Sequence, residues 1–278
     1  RNMYYVSENI VKLLTKRHRV SYAELAGSQM LTWFVSHFWG MPFKHFVESV
    51  RLHARAVDPT KWCSQAYWVC TLCNSQWDVE AELGNGSWQQ SSFFLALRSS
   101  SCRGTCMVVD ERVEPLQRSW CLFETFQSIK LRDERPGFEG FVFCTSSGVL
   151  NYGAQAYDVS MSIAKQVSEI RVENARASVK ADKEMIDSLV MSYPGGFERV
   201  NQFLGDNIQN AIQAIQKRFQ QDINALSDVI SARRSSSRTA DRQKQPSILV
   251  PLRRPQVMTA AAMSLRDKNE CVDLESGS

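Results

Sequence analysis

The stretch Leu31-Thr-Trp-Phe-Val35 is continuously apolar and rich in β-branched and aromatic side chains. Ser36 and His37 follow it directly, and the turn-forming residues Gly40 and Pro42 come shortly after. A short apolar run bounded in this way is typical of a strand that is buried on both faces of a sheet. The segment after Pro42 has apolar residues at helical spacing, so the two segments together predict the first half of a βα unit.

Three further apolar runs repeat this pattern, at Ala66–Leu72, Cys106–Val109 and Phe141–Cys144, and helical segments near Phe93–Leu97 and Arg118–Leu131 separate them. Strands that alternate with helices predict an α/β fold with a parallel sheet and helices on both faces. In such sheets the ligand crevice lies beyond the carboxyl ends of the strands. A functional site is therefore expected in the loops after Val35, Leu72 and Val109.

The pattern divides the chain into four parts. Residues 1–30 form an N-terminal lead-in, residues 31–158 the α/β domain, residues 159–230 a helical extension, and residues 231–278 a disordered, basic, Ser-rich tail. Pro194-Gly-Gly196 is expected to break the extension into two helical stretches. The extension is predicted to pack on the sheet or on a second copy of itself, and an exposed coiled coil is the alternative.

The charge balance argues against nucleic-acid binding. The chain carries 33 basic and 29 acidic residues, but nine of the basic and five of the acidic ones lie in residues 231–278, which leaves 24 of each in residues 1–230. A neutral body lacks the concentrated basic face that phosphate binding needs. No apolar run is long enough to span a membrane and no signal-peptide pattern opens the chain, so we predict a cytoplasmic protein with no membrane partner. The first residue is Arg1, which suggests a fragment or a processed product with an upstream region.

The eight cysteines are interpreted as reduced thiols, most of them buried, because several lie within apolar runs. Cys70 and Cys73, followed by Cys102 and Cys106, raise the alternative of a zinc-stabilised regulatory domain. In a strand, residues three apart point to opposite faces, so the first pair could not chelate together without a turn. The sequence therefore predicts no metal site.

The most specific local signal is Arg118-Ser-Trp-Cys-Leu-Phe-Glu124, which opens the helix after the third strand. Ser119–Glu124 resembles the Ser-x-Trp-Cys-Leu-x-Glu stretch that starts the third helix of plant-type Toll/interleukin-1 receptor (TIR) domains. Leu31–His37 resembles the first TIR strand, and the Ser36-His-Phe-Trp-Gly40 box is similar to that of divergent protist TIR-like domains. The resemblance covers about residues 31–150 and implies a flavodoxin-like sheet and a signalling role.

What the resemblance implies for function is hydrolysis of NAD, as a substrate and not a cofactor, at the bond between nicotinamide and ribose. Glu124 would be the catalytic carboxylate, because a carboxylate can stabilise the oxocarbenium-like cation formed when a glycosidic bond breaks. Trp120 lies one helical turn before it and would flank the nucleotide. Ser36, His37 and Phe38 would contact the substrate from the first loop. TIR domains also assemble homotypically, so a homo-oligomer is expected.

Each of these residues has a simpler interpretation. Trp120 and Leu122 can be core residues of their helix, Glu124 a solvated carboxylate on its surface, and His37 a hydrogen-bonded loop residue. The first strand also starts with Leu31-Thr32 where the family has Asp. The rival hypothesis is a non-enzymatic TIR-like scaffold that acts by homotypic assembly.

Two other regions bear on these hypotheses. The loop from Asn74 to Trp88 has no clear match in the family, in which the equivalent loop governs assembly and access to the site. His45 and His53 fall in the amphipathic helix after the first strand and are predicted to lie on its surface. Few histidines then remain for general-base chemistry.

Overall fold

The computed structural model describes residues 1–153 and 155–242, with side chains described through residue 232. Residues 1–220 form one compact unit, and the described residues from 221 onward belong to a second. The predicted tail starts at residue 231, but the last helix continues to residue 242. The rest of that tail, residues 243–278, lies outside the described residues.

A five-stranded sheet forms the centre of the first unit. Its strands are β1 Trp33–His37, β2 Tyr67–Trp68, β3 Gly104–Val108, β4 Gly140–Thr145 and β5 Gly148–Val149, in the order β2-β1-β3-β4-β5. The first four strands pair in parallel, and β5 pairs antiparallel with β4. The prediction of an α/β fold with a mostly parallel sheet flanked by helices is therefore confirmed.

The described part of the chain contains eleven α-helices in addition to the sheet. They are α1 Met3–Val6, α2 Lys12–Thr15, α3 Tyr22–Ala26, α4 Phe43–Val57, α5 Cys70–Cys73, α6 Val79–Glu82, α7 Ser92–Arg98, α8 Ser119–Glu134, α9 Tyr157–Glu169, α10 Lys180–Met191 and α11 Gly196–Arg242. A π-helical segment, Ser7–Val11, joins α1 to α2. None of the described helices has both the length and the apolar character that crossing a bilayer requires.

Helices α4 and α8 cover opposite faces of the sheet. Side chains alternate between faces along a strand, so Cys106 and Val108 of β3 pack in the cluster that contains Phe46 of α4. Met107 of the same strand packs instead in the cluster that contains Phe123 of α8. The sheet is thus buried on both sides, as a continuously apolar strand sequence requires.

All four predicted strands differ in their bounds from the observed ones: β1 begins two residues later, β3 begins two residues earlier and ends one earlier, β4 is longer by one residue at each end, and β2 is much shorter. β1 extends to His37, because Ser36 pairs with Met107 and His37 with Val108 in the ladder with β3. β2 contains only two residues, since the apolar run after Trp68 turns into α5, where the Cys73 amide donates to the Val69 carbonyl at 2.8 Å. The apolar run Ala66–Leu72, predicted as one strand, is therefore divided between a short strand and a helical turn.

The part of the helical extension that belongs to the first unit packs on the α8 side of the sheet. Ile163 of α9, Ile186 of α10 and Phe203 of α11 belong to the same buried cluster as Phe123 and Phe141. The predicted break at residues 194–196 falls between α10 and α11. Of the predicted modes of packing, the one on the α/β core is observed.

Candidate functional site

Glu124 lies in the second turn of α8 and is the buried acid of the candidate site. Its side chain is 4% exposed, and its Oε2 atom has no hydrogen-bond partner among the described residues. Burial raises its pKa to about 8, and the polar groups of Ser36 and Cys121 act in the opposite direction. Glu124 is therefore mostly neutral at pH 7, and the prediction of a solvated surface carboxylate is wrong.

A cavity of about 320 Å³ opens beside Glu124, in the region beyond the carboxyl end of β1. Its wall contains the aromatic side chains of Phe38, Trp39 and Trp120 and the charged side chains of Arg118 and Arg176, together with eleven further residues. In parallel sheets this position is the usual ligand crevice. The structure thus brings four of the predicted site residues to one cavity, listed here as His37, Phe38, Trp120 and Glu124.

Trp120 is fixed in orientation by contacts on three sides. Its indole Nε1–H donates to Asp182 Oδ2 at 2.9 Å. Its ring stacks on Phe93 with centroids 5.2 Å apart and meets the edge of Phe123 at 5.6 Å. Trp120 is half-buried and also lines the cavity. It is therefore both a packing residue of α8 and an aromatic wall of the site.

His37 and Ser36 lie at the end of β1 and not in a loop. Burial lowers the pKa of His37 to about 4, and neither ring nitrogen has a hydrogen-bond partner among the described residues. The prediction of a hydrogen-bonded loop histidine is therefore wrong. Ser36 is fully buried and is not part of the cavity wall, and its Oγ atom has no hydrogen-bond partner among the described residues, so the predicted contact between Ser36 and a substrate has no support in the geometry.

Two arginines, Arg118 and Arg176, line the cavity together with the acidic residues Glu124 and Asp182. Arg118 precedes α8, and its side chain donates to Ser178 Oγ at 3.3 Å and lies over the Phe38 ring at 5.8 Å. Arg176 is brought alongside by two backbone hydrogen bonds, in which its carbonyl accepts from Ser119 at 2.9 Å and its amide donates to Gln117 at 2.8 Å. The guanidinium group of an arginine is suited to bind phosphate or carboxylate oxygens.

Several wall residues had no signal in the sequence. Arg176 and Asp182 come from the extension, about 60 residues after the motif, and no local pattern marks them. Val79 and Leu83 come from the loop that lacked a family match. Arg118 could have been found, because it stands directly before the Ser119–Glu124 motif.

The four-cysteine zinc alternative does not assemble in the part of the chain that the structure describes. Cys70 is buried, and the Trp39 indole N–H donates to its Sγ atom at 3.2 Å. The Sγ atom of Cys73 accepts a hydrogen bond from the Val69 amide at 3.4 Å, within the same helical turn. Cys106 instead groups with His53 and Cys144. That group is treated separately below.

Comparisons of the chain with protein-family models, with characterised proteins and with solved structures give no match. The resemblance to TIR domains therefore rests on the two sequence motifs, and membership of that family stays a prediction. The functional argument depends on the geometry of the cavity itself.

Proposed function

We propose that this chain is a TIR-like domain that hydrolyses NAD at the nicotinamide-ribose bond, with Glu124 as the catalytic carboxylate. The observation that carries the proposal is the buried carboxyl group of Glu124 at the wall of the cavity, whose Oε2 atom has no hydrogen-bond partner among the described residues. A buried acid with a strongly perturbed pKa in a cleft is a recurrent property of catalytic sites. The positively charged nicotinamide ring would favour the ionised form of Glu124 on binding.

The proposed cleavage of NAD depends on the negative charge that the ionised Glu124 carboxylate places beside the ribose. Cleavage leaves both electrons of the C–N bond on nicotinamide, which departs as a neutral molecule, and the ribose carbon becomes cation-like. A carboxylate beside that carbon stabilises the developing positive charge. Water adds to the carbon and loses one proton, which gives ADP-ribose and nicotinamide.

The rest of the wall supports a nucleotide ligand. Trp120, Phe38 and Trp39 offer aromatic faces for flat rings, and Arg118 and Arg176 offer donors for phosphate oxygens. The cavity, at about 320 Å³, lies at the lower end of the range of roughly 300–1,000 Å³ for ligand sites. It suits the nicotinamide riboside half of NAD, with the remainder of the dinucleotide extending past the arginines.

The strand order of the sheet also supports the proposal of a TIR-like domain. The strand order β2-β1-β3-β4-β5 is the order of flavodoxin-like folds. The short antiparallel β5 departs from that pattern, which has a parallel fifth strand. The order favours a flavodoxin-like domain, and the fifth strand is where this chain differs.

The test is release of nicotinamide from NAD, followed by chromatography over a range of protein concentrations. We expect turnover by the parent chain and a loss of at least roughly 100-fold in Glu124→Gln, the scale on which transition-state charge stabilisation is lost. Glu134→Gln is the matched control, since Glu134 is on the same helix and its exposed side chain pairs with Arg98. Its turnover should equal that of the parent.

Two results would count against the enzyme proposal. One is no nicotinamide release at any concentration, with assembly confirmed by light scattering. The other is equal turnover by Glu124→Gln and the parent, since the carboxylate would then have no part in the reaction.

A second candidate function, homotypic assembly, is favoured by a different observation. Phe219, Ile223, Leu226 and Ile230 of α11 are exposed by 58%, 42%, 63% and 53%. Their spacing of four, three and four residues is the spacing of a coiled-coil seam. A second copy of the same helix would present the same stripe, so self-association would cover both.

A further inference from the structure

Away from the Glu124 cavity, a histidine and two cysteines meet between the sheet and α4. One ring nitrogen of His53 and the Sγ atoms of Cys106 and Cys144 lie within 4.8 Å of one another. All three residues are buried: His53 and the two cysteines are each 0% exposed. The prediction that His53 lies on the helix surface is therefore wrong, because this residue is on the inner face of α4.

The strand register places the two thiols together. Cys106 of β3 pairs with Val142, and Cys144 of β4 pairs with Val108, so the two cysteines are diagonal neighbours on the same face of adjacent strands. Their sulfur atoms are 3.0 Å apart. Two strands of a sheet hold them, which makes the pair a rigid feature of the core.

His53 completes the group from the facing helix. Its Nδ1 atom is hydrogen-bonded to the Tyr67 hydroxyl at 2.7 Å, whereas its buried Nε2 atom has no partner among the described residues. Metal-binding histidines usually have one nitrogen held by a neighbouring oxygen, which fixes the tautomer and leaves the other nitrogen for the metal. If Nδ1–H donates to Tyr67, the lone pair of Nε2 is the available ligand.

We propose that His53, Cys106 and Cys144 form a binding site for one zinc ion. Thiolate and imidazole together are a donor set that zinc prefers, and two thiolates neutralise its charge inside the core. Zinc displaces one proton from each thiol on binding, and both protons leave to solvent. The complex of one Zn²⁺, two thiolates and a neutral imidazole carries no net charge, which suits a fully buried position.

The geometry requires a small adjustment. With Zn–S bonds of about 2.3 Å, two sulfur atoms on a tetrahedral zinc are roughly 3.8 Å apart, compared with 3.0 Å here. The two sulfur atoms must therefore move apart by about 0.8 Å when zinc binds. Three protein ligands are also the number found in zinc sites that keep a fourth position for water or another small ligand.

The experiment uses the full chain, stripped of metal with a chelator under anaerobic, reducing conditions. Addition of Co²⁺ should give one bound equivalent with an intense near-ultraviolet sulfur-to-cobalt absorption band, and Zn²⁺ should displace it. Zinc at roughly 100 times its Kd should raise the Tm by about 5–10 °C. Binding of no cobalt or zinc by the parent chain would overturn the proposal, whatever the variants do.

Variants locate the site. Cys144→Ser should abolish the absorption band, and Tyr67→Phe, which removes the oxygen that holds Nδ1, should weaken binding by about 10–100-fold. Cys102→Ser is the control, because Cys102 is buried but lies outside the group. Unchanged metal binding by Cys144→Ser would overturn the proposal, as would recovery of the two thiols as a disulfide with no metal bound. The result is independent of NAD hydrolysis, since Glu124 is not part of this group.

Discussion

At pH values between about 4.5 and 8, Glu124 is mostly protonated in the folded protein but mostly ionised in the unfolded chain. Its pKa is about 8 in the folded protein, against an ordinary value of 4.5. Between these two pH values the folded state binds one more proton than the unfolded state. By linkage, its contribution to stability is most favourable below about pH 4.5 and is lost as the pH rises toward 8.

This linkage predicts how the free energy of unfolding changes with pH. For the parent chain, the Glu124 contribution should fall by about 2 kcal/mol between pH 6 and pH 8. Glu124→Gln has no proton to lose, so its stability should lack this fall. Urea unfolding of both chains at the two pH values measures the difference, and all other titrating groups cancel in the comparison.

A parallel pH dependence in parent and variant would mean that Glu124 is ionised in the folded protein. Its carboxylate would then be stabilised by groups that the present geometry does not show, such as a bound cation. Glu134→Gln again serves as the control, because its exposed side chain should leave the parent profile unchanged.

At the scale of elements, a side-chain hydrogen bond at the cavity links α8 to α10, in addition to the apolar cluster in which Phe123 and Ile186 pack. Asp182 is in the first turn of α10 and accepts the hydrogen bond from the Trp120 indole at 2.9 Å. An acid at that end of a helix is favoured by the helix dipole. The contact therefore orients an aromatic wall residue and ties the extension to the α/β domain.

A double-mutant cycle measures this contact. Asp182→Ala and Trp120→Phe should each destabilise the fold, and their coupling energy should be about 1 kcal/mol, as expected for a partly buried hydrogen bond. Glu184→Ala on the same helix is the control, since its ion pair with Lys180 is exposed. A coupling energy near zero would show that the indole finds its orientation from Phe93 and Phe123 alone.

The elements differ in how well the sequence predicted them. β1, β3 and β4 each contain a short continuous apolar run, and such runs were sufficient to locate these buried strands, although not their exact ends. His53 was misplaced because it is polar, although it stands seven residues after Phe46 and so falls on the same helical face. That spacing was the signal that could have located it in the core.

The candidate site was only partly predictable for a reason that concerns the whole molecule. Trp120 and Glu124 are neighbours in one motif, and their shared helix face follows from spacing alone. Arg176 and Asp182 reach the cavity only because α10 and the strand-like segment before it pack against α8. Contacts between segments so far apart in the chain depend on tertiary packing, which local periodicity does not encode.

Self-association through the exposed stripe of α11 is the last prediction. Placing two charges in it with Ile223→Glu and Leu226→Glu should raise the Kd of self-association at least tenfold, or about 1.4 kcal/mol, in sedimentation measurements over a concentration series. Gln221→Glu with Ala225→Glu adds the same charge to the opposite face and should change little. If the first pair abolishes association but NAD turnover persists, each chain holds a complete site. If both are lost together, assembly is part of the catalytic mechanism, and if association is unchanged, the stripe is not the contact.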